Sequence, residues 1–158
     1  MSDKASISVK KLTGWGRTAA TYSMTQRVDE DQIASALLSA NERGVLARGM
    51  GRSYGDAAQN GGGLVLSLLD HKPQLLDDRS GVRVSAATSL HDLMGYLLAN
   101  ERFVAVTPGT RYVSVGGAIA CDIHGKNHHV VGSFGDHVRS FDLVDGTGTL
   151  RTITKAND

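Results

Sequence analysis

The sequence has a single cysteine, Cys121, so no disulfide can close within the chain. It has only two prolines, which separates it from low-complexity linkers. No apolar run approaches the roughly 20 residues needed to span a bilayer. Charge of one sign is also missing: 17 basic residues face 16 acidic ones, a formal net charge of +1. Such a balance gives no general attraction to nucleic acid or to an anionic membrane. The opening MSDKASISVKK lacks the apolar core of an export signal, which by itself reads as cytoplasmic. With 158 residues, 41% of them apolar and 21% charged, the expectation is a soluble globular chain of one-domain size.

Glycine is in excess. There are 19, well above the usual share of about 7%. They gather at 49, 51, 55, 61, 62 and 63, and again at 109, 116, 117, 125, 132 and 135. Two clusters suggest two places where the backbone turns sharply or approaches a ligand closely.

Two stretches have helical periodicity. In residues 89–100 the apolar positions Leu90, Leu93, Met94, Leu97 and Leu98 form one stripe, with Ser89 as N-cap and Asp92 three residues on. In residues 29–44, Ile33, Leu37 and Leu38 face inward, acids crowd the first turn, and Gly44 fits the stop. Short β-like runs lie at 45–48, 64–68, 82–86, 103–106, 138–144 and 150–153. The last two flank Asp145-Gly146-Thr147-Gly148 and predict a hairpin. The order is mixed α and β in two similar halves, each ending in a glycine-rich loop.

The first loop, ARGMGRSYGDAAQNGGG, follows a strand. A strand running into G-x-G-x-S offers several backbone N–H groups to one point, which suits a pyrophosphate, and Arg48 and Arg52 could add charge. It is neither the Rossmann fingerprint nor a P-loop. A glycine-rich turn with two solvated arginines explains the same residues. In the second loop, PGTRYVSVGGAIACDIHG, Pro108-Gly109-Thr110 reads as a turn and Ser114 as the cap of a short helix. The N–H groups at that helix start would suit a phosphate or a ring carbonyl; a packed small-residue turn is the plainer alternative.

CDIHGKNHH, residues 121–129, concentrates reactive side chains. Cys121, His124 and His128 or His129 have plausible zinc spacing, although structural zinc usually takes two separated ligand pairs. Cys121 activated by His124 would be a nucleophile, yet nothing else resembles a cysteine hydrolase. A histidine-rich surface loop is a third reading. A fourth is a cofactor wall, with residues 116–120 touching a ring system and His124, Lys126 and Asn127 facing substrate.

RGMGRSYGDAAQNGGG, PGTRYVSVGGAIACDIHGKNHHVVGSFGDHVRS and LTGWGRT resemble the vanillyl-alcohol oxidase family, flavoenzymes with a PCMH-type FAD-binding domain. The resemblance is to the branch acting on decaprenylphosphoryl-ribose, and it runs from about Leu12 to about Thr154. It implies an α+β fold of two α+β subdomains with FAD between the halves. It also implies that residues 1–158 are the FAD-binding front portion, incomplete at the C-terminus, with the substrate domain absent. By the same resemblance Ala47, Arg48, Gly49, Met50, Gly51, Arg52, Ser53, Tyr54, Gly55, Asp56 and Ala57 form the pyrophosphate loop. Gly109, Ser114, Val115, Gly116, Gly117, Cys121, Asp122, Ile123 and His124 line the remainder of the cofactor. Lys126 stands on the substrate side as the catalytic residue, and no metal is implied. Arg52 occupies the position of a histidine that bonds FAD covalently in many relatives, so FAD would be non-covalent.

The implied reaction is oxidation of the C2′ hydroxyl of a polyprenyl-phosphate sugar to a ketone, with hydride passing to flavin N5. The implied partner is the reductase of an epimerase pair, and the implied location is the cell envelope. Neither a nucleic-acid partner nor a transmembrane segment is expected. Alternatives from other classes are a non-catalytic remnant serving as a nucleotide-binding or association module, and a related sugar-lactone or alditol oxidase.

Overall fold

Residues 6–156 are described by the computed structural model. The first five residues, part of the stretch read for an export signal, and the last two of the C-terminal RTITKAND lie outside them. The chain divides into two units. The first comprises residues up to Leu69 together with those from Ser140, and the second is Asp70–Arg139.

The first unit is built on a four-stranded sheet of order β1-β2-β4-β3. β1 (Ser8–Thr13) runs antiparallel to β2 (Ala20–Val28). β2 and β3 (Val45–Ala47) both pair in parallel with β4 (Leu64–Leu68). β2 alternates Tyr22, Met24, Gln26 and Val28 with Thr21, Ser23, Thr25 and Arg27, the period-2 pattern of a strand. A 3₁₀ turn, Glu30–Gln32, leads into helix α1 (Ile33–Leu38). Asp29 and Gln32 close it reciprocally as a capping box. Val28, Leu64 and Leu66 pack under Ala36, with Met24, Ile33, Val45 and Leu68 around them.

Because β3 and β4 are parallel neighbours, no tight hairpin can join them; the chain must return from the end of β3 to the start of β4. Residues 48–63, the first glycine cluster, make that return. Thr21, on the sheet face opposite α1, donates its hydroxyl to Gln59 and lies against Gly61. The glycine loop therefore crosses the face that α1 leaves open. Val65 and Ser23 on this face are 1% exposed.

Strands β7 (Ser140–Val144) and β8 (Leu150–Thr154) form the expected hairpin. Its turn is fixed by the Asp145 carboxylate, which accepts from the N–H groups of Thr147 and Thr149.

The second unit has a small antiparallel pair, β5 (Gln74–Leu75) and β6 (Val82–Arg83), and helices α2 (Leu90–Leu98), α3 (Val115–Ala120) and α4 (His128–Val131). Leu90, Leu93 and Leu97 bury their stripe against Val115, with Ile119, Ile123 and Phe134 at the margin. Ser89 caps α2 as expected, accepting from the Asp92 N–H at 3.0 Å. Asp92 completes the box differently from a glutamate, taking the Ser89 hydroxyl on its carboxylate.

Several sequence expectations change. Leu38 and Leu98, expected on the inward faces of their helices, are 73% and 61% exposed. The helix expected to run to Gly44 stops at Leu38. Ser39 donates to the Ala36 carbonyl, and Asn41 takes the Arg43 N–H and reaches the Gly62 carbonyl, so these side chains replace helical bonding. Gly44, at φ +69, turns the chain into β3 instead. Residues 103–106 form no strand: they follow Glu101, held at φ +60, and find no ladder partner among the described residues, although Val106 is buried. The strand expected over 82–86 is confined to Val82–Arg83.

Candidate functional site

The two glycine clusters expected to line the cofactor fall in different units, the first before Leu69 and the second within Asp70–Arg139.

In the first unit, the loop after β3 is held from behind. Gly14 lies so close to the loop that a Cβ there would stand 1.9 Å from the Gly55 carbonyl oxygen and 2.8 Å from that of Ser53. The N–H groups of Trp15 and Gly16 donate to the carbonyls of Ser53 and Tyr54 at 2.8 and 3.3 Å. Arg48 braces the other side, donating to the carbonyls of Ala58 and Thr13. Its half-buried guanidinium is pulled below the ordinary arginine value by desolvation. Gly51, at φ +64, packs directly on it: a Cβ would meet Arg48 Nη2 at 2.2 Å. The two arginines thus separate. Arg48 is a scaffold brace whose charge is spent on carbonyls; Arg52 is exposed and lies over the Trp15 ring at 4.8 Å.

What the loop offers outward is backbone. Among the described residues, the N–H groups of Gly49, Met50, Gly51, Ser53, Tyr54 and Gly55 have no acceptor in the protein. A run of unpartnered main-chain donors beyond the carboxyl end of a parallel strand suits a multiply charged oxyanion. Asp56 and Ala57 continue the loop, and Tyr54 is 81% exposed. The diphosphate of FAD fits this donor set.

In the second unit, Ser114 caps α3 as expected, accepting from the Gly117 N–H at 3.2 Å. The donors at that helix start are spent, however. Val115 donates to the Thr88 carbonyl and Gly116 to that of Ala86, each at 2.9 Å, and Gly117 to its cap. The phosphate-binding reading of these N–H groups is therefore corrected: they tie α3 to residues 86–88. Gly116 is needed for this approach, since a Cβ would sit 3.0 Å from that of Ala86. Ser114 and Val115 are buried, so of residues 114–117 only Gly116 and Gly117 can present surface to a ligand, and Gly109 adds an exposed turn.

Beyond α3, Cys121 is exposed. Asp122 takes φ +39 and accepts the Gly135 N–H at 2.8 Å. That bond, then the Ser133 hydroxyl and the nearby His124, hold its carboxyl below the ordinary aspartate range. Ile123 accepts from the Phe134 N–H, and His124 bridges to Ser133. The imidazoles of His124 and His128 meet edge-on at 5.2 Å, and those of His128 and His129 at 5.7 Å. Among the described residues, no group of three histidine, cysteine or acidic side chains is arranged to hold a metal.

Lys126 stands between two anchors. Gly125 is buried against the Thr107 backbone, where a Cβ would meet the carbonyl oxygen at 2.8 Å. Asn127 donates to the Ala105 carbonyl at 3.2 Å. The ammonium itself is exposed and has no partner among the described residues, so a fixed turn presents a free cation. Asn127, expected to face substrate, donates its amide to secure the turn.

Residues 26–154 match the FAD binding domain family. The chain belongs to that family. Its cofactor is FAD, and the PCMH-type α+β fold of two units agrees with the sequence expectation. The chain is 50% identical, over 93% of its length, to the decaprenylphosphoryl-β-D-ribose oxidase of Mycolicibacterium smegmatis. The match covers 33% of that enzyme, so the chain spans about a third of the length of this relative. It is also 42% identical over 67 residues, 42% of this chain and 18% of the other, to an uncharacterized protein in the mprA 5′ region of Streptomyces coelicolor. No helix among the described residues is long and apolar enough to cross a membrane.

Proposed function

We propose that this chain is the FAD-holding part of an oxidase that converts the C2′ hydroxyl of a polyprenyl-phosphate pentose, of the decaprenylphosphoryl-ribose type, to a ketone. The observation that carries this reading is the 50% identity, over nearly the whole chain, to an enzyme named for that substrate. When bound, FAD supplies the acceptor for the hydride leaving the carbon that bears the hydroxyl.

The chain's own residues have the remaining tasks. The unpartnered donors of Gly49, Met50, Gly51, Ser53, Tyr54 and Gly55 bind the diphosphate, and Arg52 adds the charge. The bond from FAD to protein is non-covalent, because the guanidinium of Arg52 cannot take the place of a linking histidine. Gly109, Gly116, Gly117, Cys121 and Ile123 give the small-residue and apolar wall of the flavin, with Ser114 and Val115 buried behind it. Lys126, held by Gly125 and Asn127, hydrogen-bonds the substrate and stabilises negative charge developing on its oxygen. A separate reductase partner would complete the epimerisation.

The test begins with colour. The chain is purified with FAD, freed of unbound cofactor, and its visible spectrum recorded before and after denaturation. Retained flavin that is released unmodified by denaturation is expected. A decaprenylphosphoryl pentose added without oxygen should bleach the flavin band, and Lys126→Met should slow bleaching by about 10²-fold or more without releasing flavin. Flavin that remains attached after denaturation would refute non-covalent binding. Equal bleaching rates for Lys126→Met and the parent would refute the role of Lys126.

A further inference from the structure

We infer that Trp15 is a positioning residue for the cofactor, holding the Arg52 guanidinium in place at the mouth of the diphosphate loop. The inference rests on reading that loop as the FAD diphosphate site. Its own support is independent of the family.

Three observations combine. The guanidinium carbon of Arg52 lies 4.8 Å from the centre of the Trp15 ring. The main chain beneath the ring is tied to the loop at the next residue, since the Trp15 N–H donates to the Ser53 carbonyl at 2.8 Å. Gly14 permits this, because any side chain there would strike the carbonyls of Ser53 and Gly55. Trp15 is 55% exposed, so burial in the core does not explain its position. A large aromatic ring is fixed by its backbone beside one arginine of the loop and left open to solvent.

The division of the two arginines gives the ring its purpose. Gly51, in the left-handed region, sends Arg48 inward to the carbonyls of Ala58 and Thr13 and leaves Arg52 on the outside. An exposed arginine samples many rotamers and loses that freedom on binding. A ring that stacks the guanidinium beforehand leaves less freedom to lose when an oxyanion arrives. In such stacking the indole covers the face of the guanidinium and not its edge.

The experiment uses the chain itself. FAD affinity is measured by equilibrium dialysis for the parent, Trp15→Leu, Trp15→Phe, Arg52→Ala and the Trp15→Leu/Arg52→Ala double variant. Arg52→Ala should weaken binding by about tenfold or more. Trp15→Leu should weaken it by about two- to fivefold, the scale of an exposed cation–π contact. Adding Trp15→Leu to Arg52→Ala should change nothing further, and Trp15→Phe should recover most of the affinity. A second readout needs no cofactor: the Arg52 Nε–H proton resonance should lie upfield from the ring current in the parent and in Trp15→Phe, and move downfield in Trp15→Leu. Because Trp15 is the one tryptophan, quenching of its emission by added FAD reports occupancy of this loop directly.

The outcomes separate. Weak binding by Arg52→Ala with unchanged binding by Trp15→Leu overturns the positioning role and leaves the loop reading standing. Additive losses in the double variant also overturn it, since Trp15 would then act other than through Arg52. Unaltered affinity in Arg52→Ala, or no saturable quenching of Trp15 in the parent, overturns the loop reading and the inference with it.

Discussion

Gly14→Ala isolates the clasp that holds the first loop. The added methyl carbon would stand 1.9 Å from the Gly55 oxygen and 2.8 Å from the Ser53 oxygen, with the Gly55 carbonyl carbon at 3.0 Å. All three neighbours are backbone, so no side chain can swing away. Either residues 14–16 or residues 53–55 must move. Movement breaks the bonds from Trp15 and Gly16 to Ser53 and Tyr54. Two such bonds are worth about 1–3 kcal/mol together, and the displacement itself costs about 1–3 kcal/mol in packing. If the clasp breaks, the bond term dominates; if it holds under strain, the packing term does. Either way the expected loss is about 2–3 kcal/mol, measured by urea unfolding followed by circular dichroism.

The same variant should lose FAD affinity by at least tenfold, because the loop donors depend on the clasp for their aim. Gly55→Ala is the control. Its Cβ would meet nothing within 4 Å and its φ is not in the left-handed region, so stability should change by less than about 0.5 kcal/mol. A Gly14→Ala protein with the parent's unfolding midpoint and the parent's FAD affinity would refute the clasp.

Gly95 lies inside α2 with nothing within 4 Å of its added Cβ, so Gly95→Ala should stabilise by about 0.5–1 kcal/mol, read as a raised Tm. Leu90 is fully buried at the centre of the second core, and Leu90→Ala should cost about 2–5 kcal/mol in urea unfolding. The Asp122 carboxyl is depressed chiefly by the Gly135 N–H, then by Ser133 and His124. A depressed folded value means its stabilising contribution is present above the unfolded value of about 3.9 and lost as pH falls through the folded one. The stability difference between the parent and Asp122→Asn should therefore stay constant from pH 7 to about 5 and shrink at lower pH; asparagine tolerates the positive φ. A difference independent of pH down to acid unfolding would show that the carboxylate's bonds contribute nothing.

The elements legible in the sequence are those whose signals are local. Ser89 and Ser114 act as caps, Leu90, Leu93 and Leu97 of the α2 stripe are buried, and Asp145 sets the hairpin turn. β2 carries a signal of the same local kind: Tyr22, Met24 and Val28 alternate with Thr21, Ser23, Thr25 and Arg27. β1 carries no such signal, because Ser8, Val9, Lys10 and Lys11 are all exposed on an edge strand. The stop of α1 at Leu38 depends on Asn41 reaching Gly62, a contact between residues 21 apart that no window over the helix contains.

The two glycine clusters make the limit of sequence reading plain. Both follow apolar runs, both hold glycines near a serine, and both suggest sources of free N–H groups. In the second, the donors at 115–117 are consumed by Thr88, Ala86 and the cap, so its glycines serve packing. In the first, the carbonyls of Ser53 and Tyr54 are engaged by Trp15 and Gly16, while among the described residues the N–H groups of Gly49, Met50, Gly51, Ser53, Tyr54 and Gly55 have no acceptor. The difference arises from connectivity. A loop joining two parallel neighbours must cross the sheet, and its carbonyls are taken by what it crosses. Helix α3, capped by Ser114 and set against residues 86–88, turns its donors back into the fold. Glycine spacing alone does not record which way the N–H groups point; the strand order and the distant segment around Trp15 do.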